Sequence, residues 1–483
     1  MKFNKATILN FYIPIFLFLI AFFWKFFYIG VRDICIDEPF TIFNAQKSIK
    51  EILLLPTQNE PNPPLFMFLL HFWIKLFGIS PYSVRIIPLF FNATTAIFIY
   101  LAGKKIANYW GGIIASGLFI LSSYQFYFGM ETRTYSLLLC ATAAAIYYLF
   151  SIIKEPSKRT LLIGLIFSNI ILVYSHYFGW FVVFMEFVIC LLYWKNKLAL
   201  KKIFIALIST AFAFIPMASI LIKQFLISKD NTWVRAPANT AYWKEIVMFL
   251  NDPIIINTAL IVFAVGLVLF LFRRKNIKFP KEIVLLFIFW IVPYTTMFFV
   301  SSKIPMFENR YVMYNSIGLY LFIGTFISYL YDRWKLLTPM TGAVVLFFMF
   351  SNLHTEREFI AHREVKQAVS YIRQYSSNGY VTIIHPRWND FEFAYYYDPE
   401  IFKDINNRET RLREKDIYNV WGLDDAIMNI KKNKGKNVAF FRGGSGFNDI
   451  NNYLDSIYTR IDSAFFPDCY YIYVYDAQPD MNE

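Results

Sequence analysis

The chain has 483 residues, of which 57% are hydrophobic, 20% aromatic and only 17% charged. A soluble domain carries about 45–50% apolar and about 25% charged residues, so this balance excludes an ordinary soluble protein and points to a polytopic α-helical membrane protein. The net charge of +13 comes from Lys and Arg scattered over short loops, as in the cytoplasmic loops of membrane proteins, and it forms no basic stripe of the kind nucleic acid requires.

In chain order, the first apolar run, Ile8–Ile29, is long enough to cross a bilayer and lacks a small-residue cleavage site, so it reads as a retained anchor. Asp37 and Glu38 follow it. Thr41–Leu55, with Lys47 and Glu51, and Pro63–Gly78, with His71, Trp73 and Lys75, read as two helices lying in the outer interface. Ten further runs cross: Arg85–Ala102, Gly111–Phe128, Thr134–Ile153, Thr160–Ser175, Phe178–Trp194, Ile203–Ile222, Ile254–Phe272, Glu282–Val300, Tyr311–Leu330 and Leu336–Asn352. The expected total is about eleven transmembrane helices.

The distribution of positive charge sets the orientation. With the N-terminus inside, beside Lys2 and Lys5, the basic loops Gly103–Lys105, Lys154–Arg159, Lys195–Lys202, Arg273–Lys281 and Tyr331–Lys335 all fall inside. This alternation holds only if Pro63–Gly78 stays on the outer surface. The expected location is a bacterial cytoplasmic (inner) membrane, with the C-terminus outside; the abundance of Lys, Asn, Ile and Phe fits an AT-rich genome.

Beyond the last run the apolar stretches shorten and Asn, Asp and Gly rise. Helices are expected at Val365–Tyr375 and Asp424–Lys432, and strands at Tyr380–Ile384, Asn437–Phe441 and Tyr470–Tyr475. The chain therefore divides into a transmembrane part, 1–352, and a small extracytoplasmic α/β domain, 353–483. Cys140 and Cys190 lie in apolar runs as packing residues. Cys35 and Cys469 are the two that would face the oxidising side. No CxxC or His/Cys cluster marks a metal site.

Ionisable and polar groups gather at the outer ends of the runs. Asp37 and Glu38 are joined there by Glu60 ahead of Asn62-Pro63-Pro64, by Arg85, by Glu131, Arg133 and Tyr135, by His176 and Tyr177, and by Arg310 and Tyr311. Each has a plainer reading: solvated loop acids or a helix start before Pro39, snorkelling arginines, an interface histidine, an aromatic belt. Ionisable residues at membrane depth usually face a cavity, and their convergence on one face from distant loops favours a shared pocket.

At these residues the chain resembles the GT-C membrane glycosyltransferases, in the branch of the protein O-mannosyltransferases and aminoarabinose-lipid A transferases. The matching stretches are Asp37-Glu38, "NPPLF" at Asn62–Phe66, "FGISPYSVR" at Phe77–Arg85, "GMETRTYSL" at Gly129–Leu137, "SHYFG" at Ser175–Gly179 and "ENRY" at Glu308–Tyr311. Beyond residue 353 the resemblance is architectural only.

The resemblance implies a long first outer loop with two juxtamembrane helices. It also implies a polyprenyl-phosphate-linked sugar donor, and transfer with inversion to a lipid, glycan or protein hydroxyl. It maps the catalytic carboxylate to Asp37, with Glu38 beside it, and a second outer acid to Glu131, where "ETRTY" departs from the more usual Asp. Chemically, Asp37 suits a general base. Arg310, Arg85 and Arg133 suit the departing phosphate, to which His176 could also donate. No cofactor or divalent metal is expected. A secondary transporter or flippase is the rival from another class, but the paired half-repeats and broken midplane helices of transporters are not evident in the sequence.

Overall fold

The computed structural model describes residues 8–58, 60–230, 232, 234–258, 260, 261, 264, 280–330, 337–354, 364–444, 448–467 and 470–478. The chain forms two compact units. One comprises Met1–Tyr28, Leu53–Leu69 and Arg85–Thr355; the other comprises Ile29–Ile52, Leu70–Val84 and Glu356–Glu483. The residues leading from the first run to the second are thus shared between the two, and 29–52 and 70–84 go with the C-terminal part.

The first unit is helical. Among the described residues, five helices are long and apolar enough to cross a membrane: Leu9–Phe26, Pro81–Ile106, Tyr135–Lys154, Lys197–Ile227 and Lys281–Val300. Shorter apolar helices include Tyr109–Ile120, Arg159–Ser175, Gly179–Leu192 and Leu337–Ser351. Large apolar side chains point outward from them, including Phe16, Phe212, Phe299 and Phe347; a surface this apolar belongs in lipid. Small residues let the helices approach closely. A Cβ on Gly324 would lie 2.6 Å from the Gly111 carbonyl oxygen, and one on Gly112 would lie 2.4 Å from that of Tyr100.

Two expected runs are interrupted. Gly111–Phe128 divides into Tyr109–Ile120 and Ser123–Phe128, and Tyr311–Leu330 into Asn309–Val312 and Asn315–Leu330. A helix break inside an apolar medium requires partners for the released backbone groups. Asn251 supplies them at the first break: its Nδ2 donates to the carbonyls of Leu121 (2.8 Å) and Met349 (2.9 Å), and its Oδ1 accepts from Ser123 N (2.7 Å). At the second, Asn315 Nδ2 donates to Val312 O at 3.1 Å. The two interruptions are bonded to each other through Gln125 Nε2 to Ser316 Oγ (2.9 Å) and the Tyr124 hydroxyl to Asn309 O. Most of the expected run Ile254–Phe272 lies outside the described residues.

In the second unit, five strands form one sheet in the order β2-β1-β3-β5-β4: β1 Val381–His385, β2 Ile417–Asn419, β3 Val438–Gly443, β4 Tyr458–Phe466 and β5 Tyr470–Ala477. β1 pairs in parallel with β2 and β3, while β5 runs antiparallel to β3 and β4. β1 and β3 are buried at every position, as central strands covered on both faces are. The expected strands are present. β2 and β4 are additions: β2 has three residues, and β4 is an edge strand carrying Arg460 and Asp462, charges that protect a sheet edge.

The first-loop helix Glu38–Ala45 packs on this domain. Phe40 and Phe43 meet Phe391 at 5.5 and 5.1 Å between ring centroids. Thr41–Leu55, expected as one helix, is two, Glu38–Ala45 and Ile49–Leu54. His71 Nδ1 lies 2.8 Å from Ala45 O, and the Tyr395 hydroxyl donates to Ile79 O at 2.7 Å.

Candidate functional site

In the helical unit, the bend 129–134 delivers Glu131 and Arg133. Gly129 stands where a Cβ would come within 2.4 Å of Gln125 O, so only glycine lets the bend close. Thr134 Oγ1 donates to Ser175 O at 2.8 Å, tying the bend to His176. Glu60 enters from the proline-flanked turn. Its Oε1 accepts from the backbone and side-chain nitrogens of Asn62 at 3.1 and 2.9 Å, and its Oε2 lies 3.6 Å from Arg133 Nη1. Both side chains are buried.

His176 is buried and stacked on Phe178 at 5.0 Å, with Tyr311 at 5.8 Å. Its Nδ1 accepts from Phe178 N at 3.1 Å, so in the neutral ring the proton sits on Nε2. Burial pushes its pKa down to about 3, and the Arg133 and Arg310 guanidinium groups push in the same direction. The imidazole is therefore neutral at physiological pH and presents an N–H donor. Burial, and secondarily the Glu60 carboxylate, raises the Tyr177 phenol to about 12, so it too keeps its proton. The Arg310 guanidinium lies over the Tyr311 ring at 5.8 Å.

His176, Tyr177 and Tyr311 line a cavity of about 170 Å³ together with Asn62 and Gln224, and much of the rest of its lining is apolar, including Leu221, Phe225, Ile304 and Met306. Gln224 Nε2 donates to Glu60 O at 2.8 Å, fixing the long helix Lys197–Asp230 to the turn that carries Glu60.

Of the residues singled out in the sequence, this unit brings together Glu60, Arg133, His176, Tyr177, Arg310 and Tyr311, and Glu131 is buried in the same bend as Arg133. Tyr135 is packed edge-on against Phe128 at 5.9 Å, and Arg85 is buried in the helix Pro81–Ile106. Glu245 was missed. It is buried in the short helix Ala241–Phe249, and burial, with Glu308 nearby, raises its carboxyl to about 7. An acid in a short loop helix carries no sequence mark that separates it from a solvated one.

Asp37 and Glu38 belong to the second unit. Glu38 opens the helix Glu38–Ala45 and is buried 3.6 Å from Arg32 Nη2. Arg32 was also missed, although its position six residues before the acid was visible. Asp37 occupies the N-cap position and is half-buried, and its carbonyl accepts from Thr41 N at 3.1 Å and Thr41 Oγ1 at 2.9 Å. Cys35 is buried, and Cys469 lies outside the described residues. Among the described residues, no three His, Cys, Asp or Glu side chains converge as a metal site.

Residues 61–222 match the family model for dolichyl-phosphate-mannose-protein mannosyltransferases. The fold is similar to the crystal structure of ArnT from Cupriavidus metallidurans in the apo state, with TM-score 0.62 at 10% identity over 95% of this chain and 97% of that one. The same protein bound to undecaprenyl phosphate gives 0.58 at 10% identity, over 97% and 98%. No curated protein matches the sequence significantly. At this identity the likeness carries the fold alone, and the family match rests on residues 61–222, about a third of the chain.

Proposed function

We propose that the protein is an inverting glycosyltransferase that moves a sugar from a polyprenyl-phosphate donor to a hydroxyl acceptor at the outer face of the bacterial cytoplasmic membrane. The supporting observation is the electrostatic grouping of Arg133, Arg310 and a neutral, donating His176, which lines a cavity whose lining is largely apolar. A departing lipid phosphate needs both parts: guanidinium groups and an N–H donor for its charge, and apolar surface for its isoprenoid. The ArnT structure holds undecaprenyl phosphate, and we extend that class of carrier to this chain.

In this reading the acceptor oxygen attacks the anomeric carbon as the bond to the phosphate oxygen breaks, and the phosphate leaves with the electron pair. Asp37 takes the acceptor proton, a role worth about 10²–10⁴-fold in rate. Arg310 and Arg133 offset the charge developing on phosphate, and His176 Nε2–H donates to it. Glu38, paired with Arg32, serves the shape of the loop. We also propose eleven crossings with the N-terminus inside and the C-terminal domain outside. The test is transfer from a radiolabelled polyprenyl-phosphate sugar by the purified protein in detergent, with mass spectrometry of envelope glycans naming the acceptor. A transporter would give no labelled product.

A further inference from the structure

Within the second unit, three of the four residues leading into Asp37 are held by the C-terminal domain. Asp33 Oδ2 accepts from Lys366 N at 2.8 Å, Ile34 N donates to the Tyr396 hydroxyl at 2.6 Å, and Ile36 N donates to Glu392 Oε2 at 3.1 Å. The other oxygen of Glu392 accepts from the Tyr470 hydroxyl at 2.6 Å, and the carboxylate is buried. Glu392 lies on the helix Asp390–Tyr397, which follows β1 through the turn 387–389, and Tyr470 opens β5. The holding groups therefore stand on the sheet.

Ile36 has φ +58°. A β-branched residue rarely adopts this left-handed conformation, and it persists only where the surroundings over-determine it. Ile36 is 36% exposed, so its own burial is a weak anchor, and the hydrogen bond from its amide to a buried carboxylate is the stronger one. The next residue is Asp37. Sheets of this kind commonly bind ligands beyond the carboxyl ends of their parallel strands; here the helix following the carboxyl end of β1 holds the first loop.

We infer that Glu392 is a positioning residue for Asp37, acting through the Ile36 amide, and that the C-terminal domain sets the conformation of the acid-bearing loop. The inference takes the role of Asp37 from the function proposed above, but the clamp itself is read without it. In the full-length protein in detergent, Glu392→Ala speeds hydrogen exchange at the amides of 34–36 by about 10- to 100-fold, the size expected for losing a hydrogen bond to a charged group. Sheet amides stay protected. In the same variant kcat falls by about 10- to 100-fold while the donor KM stays within about twofold, as a misplaced catalytic group dictates. Glu392→Gln keeps an acceptor oxygen for Ile36 N and restores most of kcat. Tyr470→Phe, which frees only the far oxygen, moves both readouts in the same direction by less, and decides the matter if Glu392→Ala does not fold. Unchanged exchange at 34–36 overturns the clamp. Faster exchange with unchanged kcat, or a kcat loss that Glu392→Gln does not relieve, overturns the positioning role. An active Asp37→Asn would retire the general base while leaving the exchange result to stand or fall alone.

Discussion

Glu60 and Arg133 form a buried ion pair, Oε2 to Nη1 at 3.6 Å, between the proline-flanked turn and the bend 129–134. The other Glu60 oxygen is committed to Asn62, so neither charge has water to retreat to. Removing one partner of such a pair costs about 3–5 kcal/mol, because the other charge stays buried. Glu60→Gln should therefore lower the melting temperature in detergent sharply, and Arg133→Met in that background should return part of the loss. A double-mutant cycle measures the coupling, expected above about 0.5 kcal/mol; additive effects would mean that the pair does not act as one.

His176 makes stability depend on pH with a definite sign. Its folded pKa, about 3, lies below the unfolded value of about 6.5. As pH falls from about 6.5 towards 3, the unfolded chain takes up a proton that the folded chain refuses, so stability is lost across that window. The charged groups facing His176 are Arg133 and Arg310, both cationic throughout it. His176→Gln should flatten the decline of melting temperature between pH 6.5 and 4 relative to wild type. An equally steep decline would assign the loss to other groups.

Arg310 should govern donor affinity. A guanidinium pairs with phosphate through two parallel hydrogen bonds that an ammonium cannot reproduce. Arg310→Ala should weaken undecaprenyl-phosphate binding by about 10- to 100-fold, and Arg310→Lys by less. Equilibrium binding to the purified variants measures this; unchanged affinity would return Arg310 to a snorkelling role.

The elements most legible in the sequence were those that depend on local pattern alone. The run Thr134–Ile153 is the helix Tyr135–Lys154, and the expected strands of the C-terminal domain lie within a residue or two of β1, β3 and β5. The interruptions at Leu121–Ser122 and Met313–Tyr314 were not legible, because the first turns on Asn251, 130 residues from Leu121, and the two breaks are joined by Gln125 and Ser316, 191 residues apart. β2 is too short, and β4 too charged, to show an apolar alternation. For the candidate site, ionisable residues at helix ends pointed to Arg133, His176 and Arg310, which lie close enough to one another to interact. Glu392 was invisible, since an acid in a soluble domain takes its meaning only from the backbone it meets.

Asn251 is the residue on which the first interruption turns. It has φ +68° and makes three side-chain hydrogen bonds to backbone groups. Each is worth about 0.5–1.5 kcal/mol, and alanine tolerates the left-handed backbone poorly. Asn251→Ala should destabilise the protein by about 2–4 kcal/mol, read as the shift in its thermal or denaturant midpoint. A shift below about 0.5 kcal/mol would show that the break satisfies itself.

The central claim is that Asp37 serves the chemistry and not the binding. The most direct measurement pairs two numbers for Asp37→Asn in detergent: the rate of sugar transfer from a polyprenyl-phosphate donor, and the affinity for that donor. The account predicts a rate lowered by about 10²–10⁴-fold with affinity changed by less than about threefold. Transfer near the wild-type rate would contradict it.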